Sequence, residues 1–440
     1  MSRVSFYTLG CKLNYAETST LERAFAERSY SIVPFGDPAD VTVVNTCSVT
    51  SEADRKCRNI IRRALRANPD SFVVVTGCYA QLQPRDIAEI DGVDVVLGAD
   101  EKFRLFQYVK EFTKQEETQI SVSCIDDVTE YGPAFSSGDR TRAFLKVQDG
   151  CDYSCSFCTI PLARGGSRSQ SVSAIVSQAN EIAARGFKEI VLSGVNIGLY
   201  GADHGSSLIA LLRALDGVDG IERYRISSIE PNLLTNEIVD FVGSSSRFQP
   251  HFHIPLQSGD DQILGKMRRR YTRNVYADRV EYVKSLMPDA CIGVDVIVGF
   301  PGENEARFAN TCEFIDALPV SYLHVFTYSE RADTAAVMKV DKMGGDSIPK
   351  PERSRRNRTL RILSKKKEHA FYRAFLGNVR PVLWEGASKS NAMFGYTDNY
   401  VRVEAPFDPQ REGHIEPVAL ERLTEHGTVA AADAGFVPLN

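Results

Sequence analysis

The 440-residue chain contains no apolar run near the roughly 20 residues that cross a bilayer. Its start, Met1-Ser2-Arg3-Val4-Ser5-Phe6-Tyr7, has no stretch long enough for the apolar core of a secretion signal. Both absences predict a cytoplasmic protein with no membrane partner. A disordered composition is absent too. With 43% hydrophobic and 25% charged residues, the chain reads as globular and long enough for two or three domains. In a reducing compartment its ten cysteines point to metal ligands or catalytic groups before disulfides.

The formal net charge of −5 hides a local asymmetry. From Lys350 to Arg380 there are eleven Lys or Arg and two acids, Glu352 and Glu368. Such a cluster on an acidic protein suggests a polyanion site. Arg268, Arg269, Arg270 and Arg273 form a second basic group.

Short strand-like apolar runs at 4–9, 40–45, 72–76 and 93–97 alternate with helical patterns at 15–28 and 52–67. This predicts an α/β fold, a doubly wound parallel sheet covered on both faces. Residues 111–140 read as a linker. Between 141 and 340 the βα unit recurs six times, with strands at 143–148, 189–193, 224–229, 252–256, 292–298 and 323–328. Six strands rather than eight predict a partial (βα)6 version of the TIM-like barrel, with function at the carboxyl ends of its strands. Residues 341–374 are basic and helical in pattern; Leu360, Leu363, Ala370, Phe371 and Ala374 can share one face. Residues 375–440 read as a small β-barrel after an N-terminal domain at 1–110 and the core at 141–340.

Cys151-Asp-Tyr-Ser-Cys155-Ser-Phe-Cys158 follows directly on the first strand of the six-fold repeat. Three thiolates on one short loop can hold three irons of a [4Fe–4S] cube. The missing fourth ligand leaves one iron open for the amino and carboxylate groups of S-adenosylmethionine, whose reductive cleavage gives a 5′-deoxyadenosyl radical. Zinc normally takes four ligands in paired CxxC spacing, and no further Cys or His follows nearby. A second set is dispersed. Cys11, Cys47 and Cys78 each follow a strand, and the carboxyl ends of neighbouring parallel strands converge on one crevice. Three buried packing cysteines remain the alternative at this point. Cys57, Cys124, Cys291 and Cys312 show no such pattern and read as packing residues.

Gly10-Cys11-Lys12-Leu13-Asn14, Asn45-Thr46-Cys47-Ser48-Val49 and Gly77-Cys78-Tyr79-Ala80 resemble the three cysteine signatures of the radical S-adenosylmethionine methylthiotransferases. The similarity continues through Cys151–Cys158, Pro161-Leu162-Ala163-Arg164-Gly165, His253–Gly259 and Asp295–Glu303, and into a C-terminal barrel like the RNA-binding TRAM domain. Gly166 departs from it, standing where related sequences often carry arginine; Arg168 is the candidate replacement.

The resemblance implies two [4Fe–4S] clusters and two uses of S-adenosylmethionine, one for the radical and one to methylate sulfur waiting at the second cluster. It implies cofactor contacts from Phe157 to the adenine and from Gly194 and Asn196 to the methionine. Glu230, Gln257 and Asp295, at strand ends, are candidates for the ribose or methionine. Gly395-Tyr396-Thr397-Asp398-Asn399-Tyr400 most resembles the branch acting on threonylcarbamoyladenosine of tRNA. Sister branches act on isopentenyladenosine in tRNA or on an aspartate of a ribosomal protein. For the anticodon stem-loop of a tRNA, Arg355, Arg356, Lys365, Lys366 and Lys367 are the candidate phosphate contacts; Trp384, Phe394, Tyr396 and Tyr400 are candidates to stack on bases. The reading takes a monomer served by an electron donor, such as flavodoxin or ferredoxin, and a sulfur source. A different class, a non-catalytic iron–sulfur RNA-binding protein, would need neither the six-fold barrel nor an open coordination site.

Overall fold

The computed structural model describes residues 2–136, 138, 141–339, 348–387 and 392–432. The start of the expected basic helical segment, 341–347, and the end of the expected barrel, 433–440, lie outside these residues.

Strands β1 (Arg3–Thr8), β2 (Ser31–Val33), β3 (Val41–Thr46), β4 (Phe72–Gly77), β5 (Val95–Leu97) and β6 (Gln119–Ser121) form one parallel sheet in the order β2-β1-β3-β4-β5-β6. Every residue of β3 and β4 is buried, as expected for central strands covered on both sides. Alternate residues divide between two cores. Val43 and Val74 pack with Leu21 and Phe25 of helix α1 (Lys12–Ala26). Val44, Val73 and Val75 pack with Cys57 and Ile61 of helix α2 (Ser51–Ala67). Strand β6 lies inside the stretch expected to be a linker; its pairing with β5 extends the sheet there.

The second layer is a partial barrel of β7 (Arg142–Lys146), β8 (Glu189–Ser193), β9 (Arg223–Ile226), β10 (His251–His253), β11 (Cys291–Val298) and β12 (Tyr322–Thr327). Parallel pairing links β7-β8-β9 and β10-β11-β12, and a parallel bridge between Ser228 and His253 joins the halves. Ser171, Ser207, Thr235, Asp260 and Asn304 each cap a following helix with a side-chain oxygen, satisfying amides that have no partner within the helix.

An open barrel has two exposed edges, and both are covered. On β7, Ala134 O accepts from Lys146 N and Ser136 N donates to Phe144 O. On β12, the long helix α3 (Lys350–Arg373) supplies Asn357 to Val325 O, and Ser364 Oγ to both backbone groups of Leu323. Leu360 and Leu363 join the barrel core as expected, and Phe371 packs on the C-terminal domain. Ala370 and Ala374 are exposed, however, and Tyr372 takes the buried place.

The C-terminal strands β13 (Val379–Ala387), β14 (Ala392–Thr397), β15 (Arg402–Pro406), β16 (Ile415–Leu423) and β17 (Val429–Ala431) close a barrel in the order β13-β14-β15-β17-β16. Trp384 is wholly buried in it, its indole N–H donating to Glu416 at 2.7 Å, so it serves the core and no base. Arg223 and Arg225 fasten this domain to the amino-terminal end of the partial barrel through the carbonyls of Pro381, Tyr396, Thr397 and Asp398. Among the described residues no helix is long and apolar enough to cross a membrane.

Candidate active site

The loop after β7 places Cys151, Cys155 and Cys158 at the carboxyl end of the barrel. Tyr153 N points at Cys151 Sγ and Ile160 N at Cys158 Sγ, both at 3.4 Å; Arg269 Nη1 lies 3.1 Å from Cys155 Sγ. Donors aimed at sulfur stabilise it as thiolate, the form that binds iron. Asn196 fits the same reading. Its side-chain amide is buried, with the Cys151 thiol as its one polar neighbour in reach and its carbonyl oxygen without a partner among the described residues, so a bound cofactor can take up its remaining hydrogen bonds.

Cys11, Cys47 and Cys78 meet at the carboxyl ends of β1, β3 and β4, and Cys11 and Cys78 both act electrostatically on Cys47. Glycine makes this convergence possible. Gly10 and Gly77 both have positive φ, 107° and 99°; a Cβ on Gly10 would stand 2.9 Å from Cys47 Cβ, so any other residue would be strained and would push the loops apart. Burial pushes Cys47 up to about 11 and Cys158 to about 12, so a metal bound by these thiols would displace their protons. Among the described residues only His253, Asp295 and His324 bring three ligand atoms within 4.8 Å of one another. The two cysteine sets are spaced more widely. A single tetrahedral zinc, with Zn–S near 2.3 Å, would draw its sulfurs to about 4 Å; a cube tolerates the wider setting.

The two sets adjoin. Thr159, next to Cys158, donates to the carbonyl of Ser48, next to Cys47. Beneath them lies a buried network joining the two domains. Glu17 binds Lys102 (2.6 Å), Lys146 (3.0 Å) and Arg164 (3.0 Å), while Asp149 binds Lys146 (2.6 Å) and Arg164 (2.8 Å). Arg164 also reaches Asn14 Oδ1 at 2.6 Å, three residues beyond Cys11. Three cations face two carboxylates, which favours thiolates and an anionic cluster nearby. Burial works to raise Glu17 and Asp149, but the cations outweigh it and hold both well below the usual carboxylate range. Glu17→Gln leaves the cations short of one partner and is expected to lower stability by about 3–5 kcal/mol, read as an earlier transition in urea. Because these folded-state pKa values are depressed, their contribution is present above about pH 4 and lost as pH falls further. An unshifted midpoint would show that the network does not hold the domains together.

Barrel strands alternate outward and inward, and the inward row is largely polar. Val294, Val296 and Val298 of β11 pack outward in the barrel core, leaving Asp295 inward. The same parity puts Arg142, Lys146, Glu189, Arg223, Arg225, His251, His253, Tyr322 and His324 inside. His253 links Ser228 (2.7 Å) to Asp295 (2.9 Å), and His324 stands edge-on to it at 5.4 Å. Eight-stranded barrels fill this space with aliphatic layers; here it is open and charged, as a polar substrate requires.

The predicted cofactor residues fall around this space unevenly. A Cβ on Gly194 would meet Gln148 Oε1 at 2.9 Å. Glu230 is paired with Arg269, which removes Arg269 from the second basic group: its guanidinium is buried between Cys155 and Glu230. Gln257 adopts φ 67° where β10 passes into the bridge with Val296. Phe157 packs near Phe300 at 6.4 Å. Arg168, the candidate replacement for the arginine missing at 166, holds the carbonyls of Gly166 and Glu130.

The predicted phosphate contacts also divide. Arg356 is 4% exposed and bound by Glu303 and Glu352, so it is a structural bridge and not an RNA contact. Arg355 is held by Glu305 and Glu352, and Lys367 by the carbonyls of Asp316 and Leu318. Lys365 and Lys366 are 69% and 74% exposed, and surface pairs of that kind hold them weakly. Tyr396 and Tyr400 stack on one another, and Tyr400 on His251 at 4.0 Å. Cys57 and Cys291 are buried as expected; Cys124 is exposed and does no packing.

The sequence pattern did not single out Lys12, Glu17, Arg164, His253 or His324 as actors. The signal was available for those on strands: polar residues at every second position of the central strands.

Comparison with known proteins agrees with this architecture. A model described as "Radical SAM superfamily" matches residues 145–315, and one described as "Uncharacterized protein family UPF0004" matches residues 3–98. A threonylcarbamoyladenosine tRNA methylthiotransferase of Bacillus subtilis is 39% identical over 97% of this chain and 99% of its own. Its counterpart in Aquifex aeolicus is 38% identical, covering 96% and 99%. A tRNA-2-methylthio-N(6)-dimethylallyladenosine synthase of Symbiobacterium thermophilum is 32% identical, covering 97% and 93%. Among solved structures, the radical S-adenosylmethionine methyltransferase TsrM of Kitasatospora setae, with cobalamin and a [4Fe-4S] cluster bound, superposes with a TM-score of 0.56. It covers 78% of each chain at 14% identity, a likeness of fold alone.

Proposed function

We propose a reaction from one premise: this chain belongs to the radical S-adenosylmethionine methylthiotransferase family. It inserts a methylthio group at C2 of threonylcarbamoyladenosine in tRNA, next to the anticodon. The observation that carries the reading is the adjacency of two three-cysteine sites beside one open, polar barrel interior. When bound, the two clusters and S-adenosylmethionine supply the electron, the hydrogen-abstracting radical and the methylated sulfur.

The chain's own residues bind and orient. Cys151, Cys155 and Cys158 hold the radical cluster, with Arg269 donating to Cys155. Asn196, Glu230, Gln257 and Asp295 line the approach for S-adenosylmethionine, and Cys11, Cys47 and Cys78 hold the second cluster. The buried pairs of Glu17 with Lys102, Lys146 and Arg164 fix one cluster site against the other, so sulfur and substrate carbon can meet without domain rearrangement. Lys365, Lys366 and the C-terminal barrel grip the tRNA body in the cytoplasm, and a small electron-transfer protein provides the reducing electron. Higher identity to the threonylcarbamoyladenosine enzymes than to the dimethylallyladenosine one, and a cationic interior suited to a carboxylate, favour this branch.

The test is nucleoside analysis of tRNA from cells lacking the gene. Threonylcarbamoyladenosine should replace its methylthio derivative. Loss of methylthio from the isopentenyl derivative instead would move the enzyme to the sister branch, and an unchanged tRNA profile would leave the ribosomal-protein reading.

A further inference from the structure

The lower interior of the radical barrel holds more positive than negative charge. Glu189 is shared by Arg225 (2.8 Å), Arg223 (3.8 Å) and Arg142 (4.0 Å); Arg142 also binds Glu385 at 2.8 Å. Asp398, close by, is already taken by Arg380 at 2.7 Å. Arg223 and Arg225 spend their remaining donors on carbonyls of the C-terminal barrel. Into this setting comes one more cation, from another domain. Lys12 follows Cys11, and its ammonium stands 6.0 Å from the centre of the Phe144 ring on the inward face of β7. Among the described residues no carboxylate pairs with it, Glu189 acting on it only from a distance, and its side chain is open rather than packed. The protein around it is nonetheless dense, and Lys12 reaches Arg142, Arg225, His251 and His324 electrostatically. An open, unpaired ammonium in a recess already rich in arginine is a site for an anion.

We propose that Lys12, backed by Arg142 and Arg225, forms a carboxylate subsite that takes the free carboxylate of the threonylcarbamoyl group. The inference rests on the substrate reading above and gives it a specificity-determining residue. Geometry of the base favours it. C2 and the N6 substituent both flank N1, so the reacting carbon and the threonyl group share one edge of the adenine. A residue adjacent to Cys11 can therefore meet the carboxylate while C2 faces the second cluster. An isopentenyl group has no charge to offer and would leave the Lys12 ammonium without a partner, which disfavours it in this site.

The experiment uses the cluster-loaded full chain and two synthetic anticodon stem-loops. One carries threonylcarbamoyladenosine; in the other the threonyl carboxylate is a carboxamide. Fluorescence anisotropy gives Kd, and the rate of methylthio insertion gives kcat/KM. Wild-type enzyme should prefer the acid by about 10- to 100-fold, and Lys12→Gln should shrink that preference below about threefold. Lys12→Arg, which keeps the charge, should retain most of it and so separates charge recognition from a folding defect. An undiminished preference in Lys12→Gln would overturn the proposal. So would a raised requirement for S-adenosylmethionine with the RNA preference intact, because the carboxylate held would then be the methionine's. If wild type ignored both RNAs and turned over an isopentenyladenosine stem-loop instead, the substrate reading would fall and the Lys12 subsite with it.

Discussion

Replacing Cys151, Cys155 and Cys158 together by Ala is expected to abolish 5′-deoxyadenosine formation and leave about four of about eight irons after anaerobic reconstitution. The loop carrying these thiols is tied to the barrel by the bond from Cys151 N to the carbonyl of Gly165 and by Ser156 to Met267. Removing the thiols alters none of those bonds, so the barrel should persist without its cluster. The other three cysteines sit on a sheet with its own two cores and should keep their iron. Iron analysis and chromatography of the nucleoside product measure both quantities. A variant that lost all its iron would contradict two independent sites.

The reciprocal variant separates the two roles. With Cys11, Cys47 and Cys78 changed to Ala, cleavage of S-adenosylmethionine should continue while methylthio insertion stops entirely. The barrel cluster and its surroundings, Asn196, Arg269 and Glu230, are untouched by these substitutions. What is lost is the set of thiolates beside Ser48, the residue that contacts the radical loop. The urea transition of the variant, measured beside both product assays, separates loss of the site from a folding defect. Disappearance of 5′-deoxyadenosine from a folded variant would mean that the N-terminal site takes part in radical generation.

The strands that carry Cys47 and Cys78 were legible in the sequence because each is a β-branched run followed directly by its ligand. Valines 41, 43, 44, 73, 74 and 75 are buried on both faces, and the shortness and β-branching of such runs mark them as parallel strands rather than buried helix. Ser31–Val33, Gln119–Ser121 and Val429–Ala431 were not legible. Each has three residues, too few for a period, and each is held by a neighbour distant in sequence. Ala392–Thr397 carries Gly395 in its interior, a residue that weakens a strand's signature.

The basic helix shows a different limit. Its charge is a property of sequence, but the partners of Arg353 and Arg356 are Glu330 and Glu303 from the barrel. Counting charges within the segment cannot detect neutralisation from outside it. The same holds for Glu17 and Arg164, which stand 147 positions apart and look like ordinary surface charges until the fold buries them. The polar inward row was within reach. Arg142 and Lys146, Arg223 and Arg225, His251 and His253, Tyr322 and His324 all fall two or four apart on their strands. That alternation marks a barrel built around a charged guest rather than around its own side chains.

The most direct test of the account is the reaction itself on tRNA taken from cells lacking the gene. The reconstituted enzyme is given S-adenosylmethionine, a sulfur source and a reductant under anaerobic conditions, and the digested nucleosides are resolved by mass spectrometry. The account predicts that threonylcarbamoyladenosine is converted to its 2-methylthio derivative, with 5′-deoxyadenosine formed alongside. Formation of 5′-deoxyadenosine while every tRNA nucleoside stays unchanged would contradict it.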